Sequence, residues 1–292
     1  MLGRESMESA PFDAAEKLLE IELRRGSPSL RRLGLDAWKD VVGAAYGTIL
    51  ETREGRAAVA HVLAESSLFV RDRSMSLLTC GRTDLGRAFE ALVARIGHDA
   101  IEGVRLSRER DRFPDAVRSS FDDDVAVLSR VVDGDRLAST LEDAELHSFE
   151  FGSLRASLDF RVFCRGLSPE VRRVFVDAPV DAPPLFHRLK RAFRAEVVQL
   201  HQFEPTGFSM NLLDEDVAAC VHVSPEEAAD VASFETSSRS PVHRLALLGE
   251  AERIFAPARI AVTLDGRRLV SAAEARERLS HELTRRGDAR VL

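Results

Sequence analysis

Cysteine is scarce in this chain and basic charge is in deficit. Its 292 residues include three cysteines, Cys80, Cys164 and Cys220. Odd in number, far apart and without a C-x-x-C pair, they argue against a disulfide framework or a zinc site. Lys and Arg total 41 against 48 Asp and Glu, a net charge of −7, with the basic residues scattered. That balance argues against a generic nucleic-acid surface. No run approaches the roughly 20 apolar residues that cross a bilayer. The N-terminus carries Glu5 and Glu8 rather than the basic-then-apolar order of a secretory signal. No Gly/Ser-rich linker divides the chain. The expectation is a reduced, cytoplasmic protein that folds as one domain, with no nucleic-acid, membrane or metal partner. A hydrophobic content of 45% suffices for a sizeable core.

The apolar pattern changes period along the chain. Phe12 to Arg25 has helical spacing, with Ala15, Leu18, Leu19 and Leu23 on one side. Further helices are predicted over Asp36–Ala44, Asp84–Ile96, Phe121–Val132, Pro183–Phe193, Val242–Phe255 and Ala272–Arg286, with a frayed tail from Gly287. Short apolar runs broken by turn formers predict strands over Tyr46–Glu51, Ala57–Ala64, Ser67–Arg71 and Ser74–Thr79. In the second half the strands are Leu158–Cys164, Val197–Phe203, Val217–Val223 and Arg259–Leu264. Asp265-Gly266 between apolar runs is a two-residue hairpin signal. Antiparallel clusters with helices between them make the class α+β rather than a doubly wound parallel sheet. The halves, near 1–140 and 141–280, share an element order without residue-level repetition.

Several short stretches could carry chemistry. Glu65-Ser66-Ser67 interrupts an apolar strand pair. It reads either as a turn with solvated hydroxyls or as a serine that attacks the carbonyl before it. Cys80 ends a strand ahead of Gly81 and a helix start, a position where a thiol is either a small buried hydrophobe or an acid–base group. Phe203 to Asn211 is dense in turn formers and aromatics. His222 sits on a strand with Glu226 four residues on, and Pro225 between them argues against a metal pair on one helix.

In this order the stretches resemble the eukaryotic-type S-adenosylmethionine decarboxylases, from about Phe12 to about Leu264. FDAAEKLLEI resembles that family's FEGxEKLLE, and LAESSLFV with LLTCG resembles LSESSLFV…KTCG. FEPTGFSMN resembles FxPCGYSMN, and VHVSPEE with VASFET resembles IHITPE…SFET. The resemblance implies a four-layer α/β/β/α sandwich, two antiparallel sheets face to face with helices outside.

It also implies that the backbone cuts itself between Glu65 and Ser66, leaving Ser66 as a covalent pyruvoyl cofactor. That carbonyl takes up S-adenosylmethionine as a Schiff base and accepts the electron pair left as carbon dioxide departs. Ser209 and His222 match the residues that assist processing, and Cys80 the one that reprotonates the α-carbon. Phe12, Phe203, Glu65 and Glu226 match substrate-binding positions: two rings around adenine, the new chain end, and the carboxylate on the ribose. The small and large chains are implied to stay together, as monomer or homodimer, in polyamine biosynthesis.

Departures are visible. Glu204 stands where the family has asparagine, Thr206 where it has cysteine and Leu78 where it has lysine. Glu20 and Glu235 match two acids of the putrescine site of animal members, while Arg161 takes the place of a third. A buried guanidinium there neutralises the carboxylates as the diamine does, so activity independent of putrescine is expected. The rival readings are a pyruvoyl decarboxylase of a free amino acid such as ornithine or arginine, and a non-catalytic regulatory paralogue.

Overall fold

Every residue of Lys17–Leu23 is buried, and this decides its conformation. The stretch with helical spacing is strand β1, not a helix. Leu19, Ile21 and Leu23 join a core on one side, while Leu18 packs on the other with the facing sheet. A run with both faces covered loses the hydrophobic-in, polar-out alternation that marks a half-exposed strand.

The computed structural model describes residues 12–64, 66–177, 197–204, 206–215, 217–226 and 230–286. The helix expected over Pro183–Phe193 and the tail from Gly287 lie outside them. The first sheet contains β1, β2 (Ile49–Glu54), β3 (Ala58–Leu63), β4 (Ser66–Arg71), β5 (Ser74–Thr79), β6 (Ile101–Glu109), β7 (Asp135–Leu141) and β8 (Ala144–Gly152). Its order is β2-β3-β4-β5-β1-β6-β8-β7. The second contains β9 (Phe160–Arg165), β10 (Val197–Gln202), β11 (Phe208–Asp214), β12 (Val217–Ser224), β13 (Val231–Thr236), β14 (Arg259–Thr263) and β15 (Leu269–Ser271). Its order is β10-β11-β12-β13-β9-β14-β15, and the pairings in both sheets are antiparallel. In each, a four-strand meander is followed by the half's first strand.

Helices α1 (Gly34–Ala44), α2 (Leu85–Ile96) and α3 (Phe121–Leu128) cover the outer face of the first sheet through Trp38, Phe89 and Leu128. Helices α4 (Pro169–Asp177), α5 (Pro241–Phe255) and α6 (Ala272–Arg286) cover the second through Phe175, Phe255 and Leu279. The fold is the expected α+β four-layer sandwich. Local chemistry starts the helices where it should. Asp84 caps α2 by accepting from Arg87 N at 3.0 Å, and Ser120 with Asp123 forms a capping box on α3.

Between the sheets, Leu18, Phe69, Leu78, Leu158, Leu213 and Cys220 form a small apolar cluster. Much of the remaining interface is polar, and the site lies there. The Asp265-Gly266 signal does mark a hairpin, but Thr263 pairs with Leu269, so the connection runs over 264–268. Asp265 Oδ1 accepts from Arg267 N and Arg268 N, an Asx turn that lengthens the loop.

Candidate active site

His222 is the hub. It lies on β12 opposite Ser209 of β11, and Ser209 Oγ is 2.8 Å from its Nδ1. Across the sheet interface, Ser66 Oγ of β4 and its neighbour Ser67 Oγ each lie 3.3 Å from Nε2. Burial pushes the imidazole pKa down to about 4 against the pull of Glu16, so His222 is neutral at physiological pH. The strand assignment at His222 holds, and Glu226 lies beyond the end of β12, so the two share no helix.

Ser66, Cys80 and His222 line one cavity of about 40 Å³ with Glu16, Arg165 and Ser233. Cys80 follows the last residue of β5, five positions ahead of the first residue of α2. The turn carrying it is held from below. Lys17 Nζ, fully buried, donates to the carbonyls of Gly81 at 2.7 Å and Thr83 at 2.8 Å. Gly81 has φ +62°, and a Cβ there would come within 2.8 Å of the Phe12 ring, so the glycine serves both the turn and the ring's approach. Phe12 is 42% exposed. Phe203 packs against Gly207 and meets His201 edge-on at 4.6 Å. Glu226 Oε1 accepts from Thr206 Oγ1 at 2.6 Å, and its Oε2 is buried without a partner. Glu65 lies outside the described residues.

The charged residues divide into two groups. Arg161, wholly buried, binds Glu16 through both Nε, at 3.0 Å, and Nη2, and donates to Ser107 Oγ at 2.7 Å. It lies opposite Glu235 in register. Burial pushes the Glu16 carboxyl up, but Arg161 and a hydrogen bond with Glu235 hold it below its usual value. Burial and the Glu16 charge raise Glu235 well above the carboxylate range. Glu235 therefore keeps its proton, which fits an Oε1 that accepts from no donor. Glu20 belongs to the other group, accepting from Leu158 N at 2.7 Å, Ser76 Oγ at 2.9 Å and Arg105 Nη1 at 3.3 Å. Arg105 also binds Glu150 at 2.6 Å and Asp159 at 2.8 Å. The single cluster of Glu20, Arg161 and Glu235 expected from sequence is thus two, each with its own arginine.

Cys220, His222 and Glu235 place ligand-type atoms within 4.8 Å of one another. The Cys220 thiol donates to Glu235 at 3.2 Å, and burial with that carboxyl pushes it well above its usual value. Its sulfur is therefore occupied as a donor rather than offered as a thiolate.

Residues 9–287 match the family model for adenosylmethionine decarboxylase. The chain belongs to that family. Similar relatives include the S-adenosylmethionine decarboxylase proenzymes of Caenorhabditis elegans and Trypanosoma cruzi. The first is 33% identical, covering 77% of this chain and 68% of the relative. The second is 25% identical, covering 89% of this chain and 77% of the relative. A crystal structure of the Trypanosoma brucei AdoMetDC-delta26 monomer aligns with TM-score 0.48 at 21% identity, over 67% of this chain and 78% of that one. As a member of the adenosylmethionine decarboxylase family, the chain carries its sequence motifs on β1, β4, β11, β12 and β13 and the turns beside them. The supporting residues were not legible in those motifs. Glu16 and Arg105 carry no motif signal and Asn211 stands in its motif without a marked role, although Glu16, Glu20 and Glu22 at even spacing would mark one face of a strand once β1 is read as one.

Proposed function

We propose that the chain cleaves itself between Glu65 and Ser66, converts Ser66 into a pyruvoyl group, and decarboxylates S-adenosylmethionine, the compound after which its relatives are named. The observation that carries this reading is the 3.3 Å approach of Ser66 Oγ to His222 Nε2, in a cavity that Cys80 also lines. A neutral imidazole within reach of residue 66 is a competent base.

Ser66 Oγ bonds to the carbonyl carbon of residue 65 as the amide C–N bond breaks, and the hydroxyl proton passes to the freed nitrogen. His222 then takes the α-proton of residue 66 while the ester's Cβ–O bond breaks, releasing the residue 65 carboxylate. Water replaces the nitrogen as ammonia and leaves the ketone. Ser209, bound to His222 Nδ1, steadies the ring throughout.

Once formed, that carbonyl supplies the electron sink that decarboxylation needs. The chain's own residues bind and orient. The unpartnered Oε2 of Glu226 suits a ribose hydroxyl, since a buried carboxylate oxygen without a donor is costly unless a ligand supplies one. Phe12 presents an open ring beside the Cys80 turn, and Cys80 can return a proton to the substrate carbon. A cavity of about 40 Å³ holds a water or two, whereas sites for small-molecule ligands run to about 300 Å³ or more. The site must open before a nucleoside enters, and cutting the backbone ahead of Ser66 provides the slack.

The cut chains stay together on this reading because β1 is held between β5 and β6 in the middle of the first sheet. Three thiols outside any disulfide support a cytoplasmic setting. The shared strand order of the two sheets supports an internal duplication. The assembly is a monomer or homodimer.

The free amino acid reading leaves the Glu226 oxygen without a task. Intact mass spectrometry tests the cleavage: chains 1–65 and 66–292, the second with a pyruvoyl-blocked start, are expected, and Ser66→Ala stays whole. Carbon dioxide release from S-adenosylmethionine, ornithine and arginine tests the substrate. An uncut wild-type chain, or release from an amino acid alone, sinks the proposal.

A further inference from the structure

Two neighbouring serines approach the same nitrogen of His222, and their distances do not tell them apart. Asn211 does. It sits two residues from Ser209 on β11, so its side chain shares that face. Its Nδ2 donates to the His61 carbonyl at 3.0 Å and to Gln199 Oε1 at 3.3 Å. Both are acceptors, which fixes the amide with Oδ1 toward Ser67, 2.5 Å from Ser67 Oγ. A carbonyl oxygen cannot donate, so the one hydroxyl proton of Ser67 is committed to Asn211. At His222 Nε2, Ser67 can then only accept. Ser66 is left as the member of the pair able to give Nε2 a proton, with the Nδ1 proton shared with Ser209. Ser67, Asn211, Gln199 and His61 are all buried, so water does not compete for these bonds.

We propose that Asn211 is a positioning residue that selects Ser66 over Ser67 as the nucleophile of backbone cleavage; the inference rests on the self-cleavage reading above. Attack by Ser66 joins its Oγ to the carbonyl carbon of residue 65 and breaks the 65–66 bond. The Oγ proton travels through Nε2 to the freed nitrogen of residue 66. Attack by Ser67 joins its Oγ to the carbonyl carbon of Ser66 and breaks the next bond. Asn211 blocks that course by holding the proton Nε2 would have to take.

The test follows cleavage of freshly translated full-length chain over time by intact mass. Asn211→Leu removes the acceptor and frees the Ser67 hydroxyl to compete for Nε2. Cleavage at Ser66 is expected to slow about tenfold, the scale of one buried hydrogen bond. Adding Ser67→Ala to that variant removes the competitor and is expected to restore the rate to within about threefold of wild type. A residue that only braced the strand would give no such rescue. If the leucine variant does not fold, Asn211→Ala makes the same deletion in a smaller volume, with the same slowing and the same rescue by Ser67→Ala expected. Wild-type speed in the folded position-211 variant, or a double variant as slow as the single, overturns the assignment. An uncut wild-type chain, or cleavage in Ser66→Ala, instead sinks the self-cleavage reading.

Discussion

Lowering the pH is the cleanest perturbation of the proposed base, because burial has moved its titration far from the ordinary range. An exposed histidine titrates near pH 6.5, whereas burial takes His222 to about 4. At pH 5.5 an imidazole with that pKa is about 97% neutral, against about 9% for an unperturbed one. Processing that uses neutral His222 should hold nearly all of its rate at pH 5.5, where a solvated histidine would have lost about tenfold. The assay is the cleavage half-time of newly made chain across pH 4.5–8, with circular dichroism at each pH to confirm folding. A half-loss of rate near pH 6.5 in folded protein would falsify the claim that desolvation holds the half-buried His222 far below the ordinary range. The same shift makes stability pH-dependent. The unfolded chain takes up this proton below about 6.5 and the folded chain only near 4. Stability present above pH 6.5 is therefore lost as pH falls between those values, up to ~3 kcal/mol for this group.

Arg161→Met leaves Glu16 buried without its cation and should lower unfolding stability by about 3–5 kcal/mol, read from urea midpoints; a change under 1 kcal/mol refutes the pairing. Putrescine added to the processed enzyme should leave the rate unchanged, since Arg161 and Arg105 already bring positive charge to the buried acids. Several-fold stimulation contradicts this. Glu226→Gln should raise the KM for S-adenosylmethionine about tenfold or more with a smaller change in kcat, as expected for lost charge-assisted bonds to a ribose. An unchanged KM removes Glu226 from the binding site.

Helices were the most legible elements. Leu85–Ile96 and Pro241–Phe255 fall within a residue of their expected bounds, because an apolar stripe and a capping Asp or Ser are local features. Ser74–Thr79 matches to the residue. Ile101–Glu109, Ala144–Gly152 and Val231–Thr236 were not anticipated as strands. Arg105, Glu150 and Glu235 on these strands point into a polar interface between two sheets, which looks like solvent exposure when read locally.

By itself the sequence determined the class of fold, the Ser66, Cys80, Ser209 and His222 candidates, and the family, since these rest on short motifs and local periodicity. Tertiary structure alone decided that Phe12 to Arg25 contains a buried strand rather than a helix. It also decided that Glu16 rather than Glu20 binds Arg161, and that Asn211 meets Ser67 from a strand 144 residues away. Those pairings depend on how two sheets stack. Stacking brings together side chains remote in the chain, and the energy of a buried charge or hydroxyl is set by such partners rather than by its neighbours in sequence.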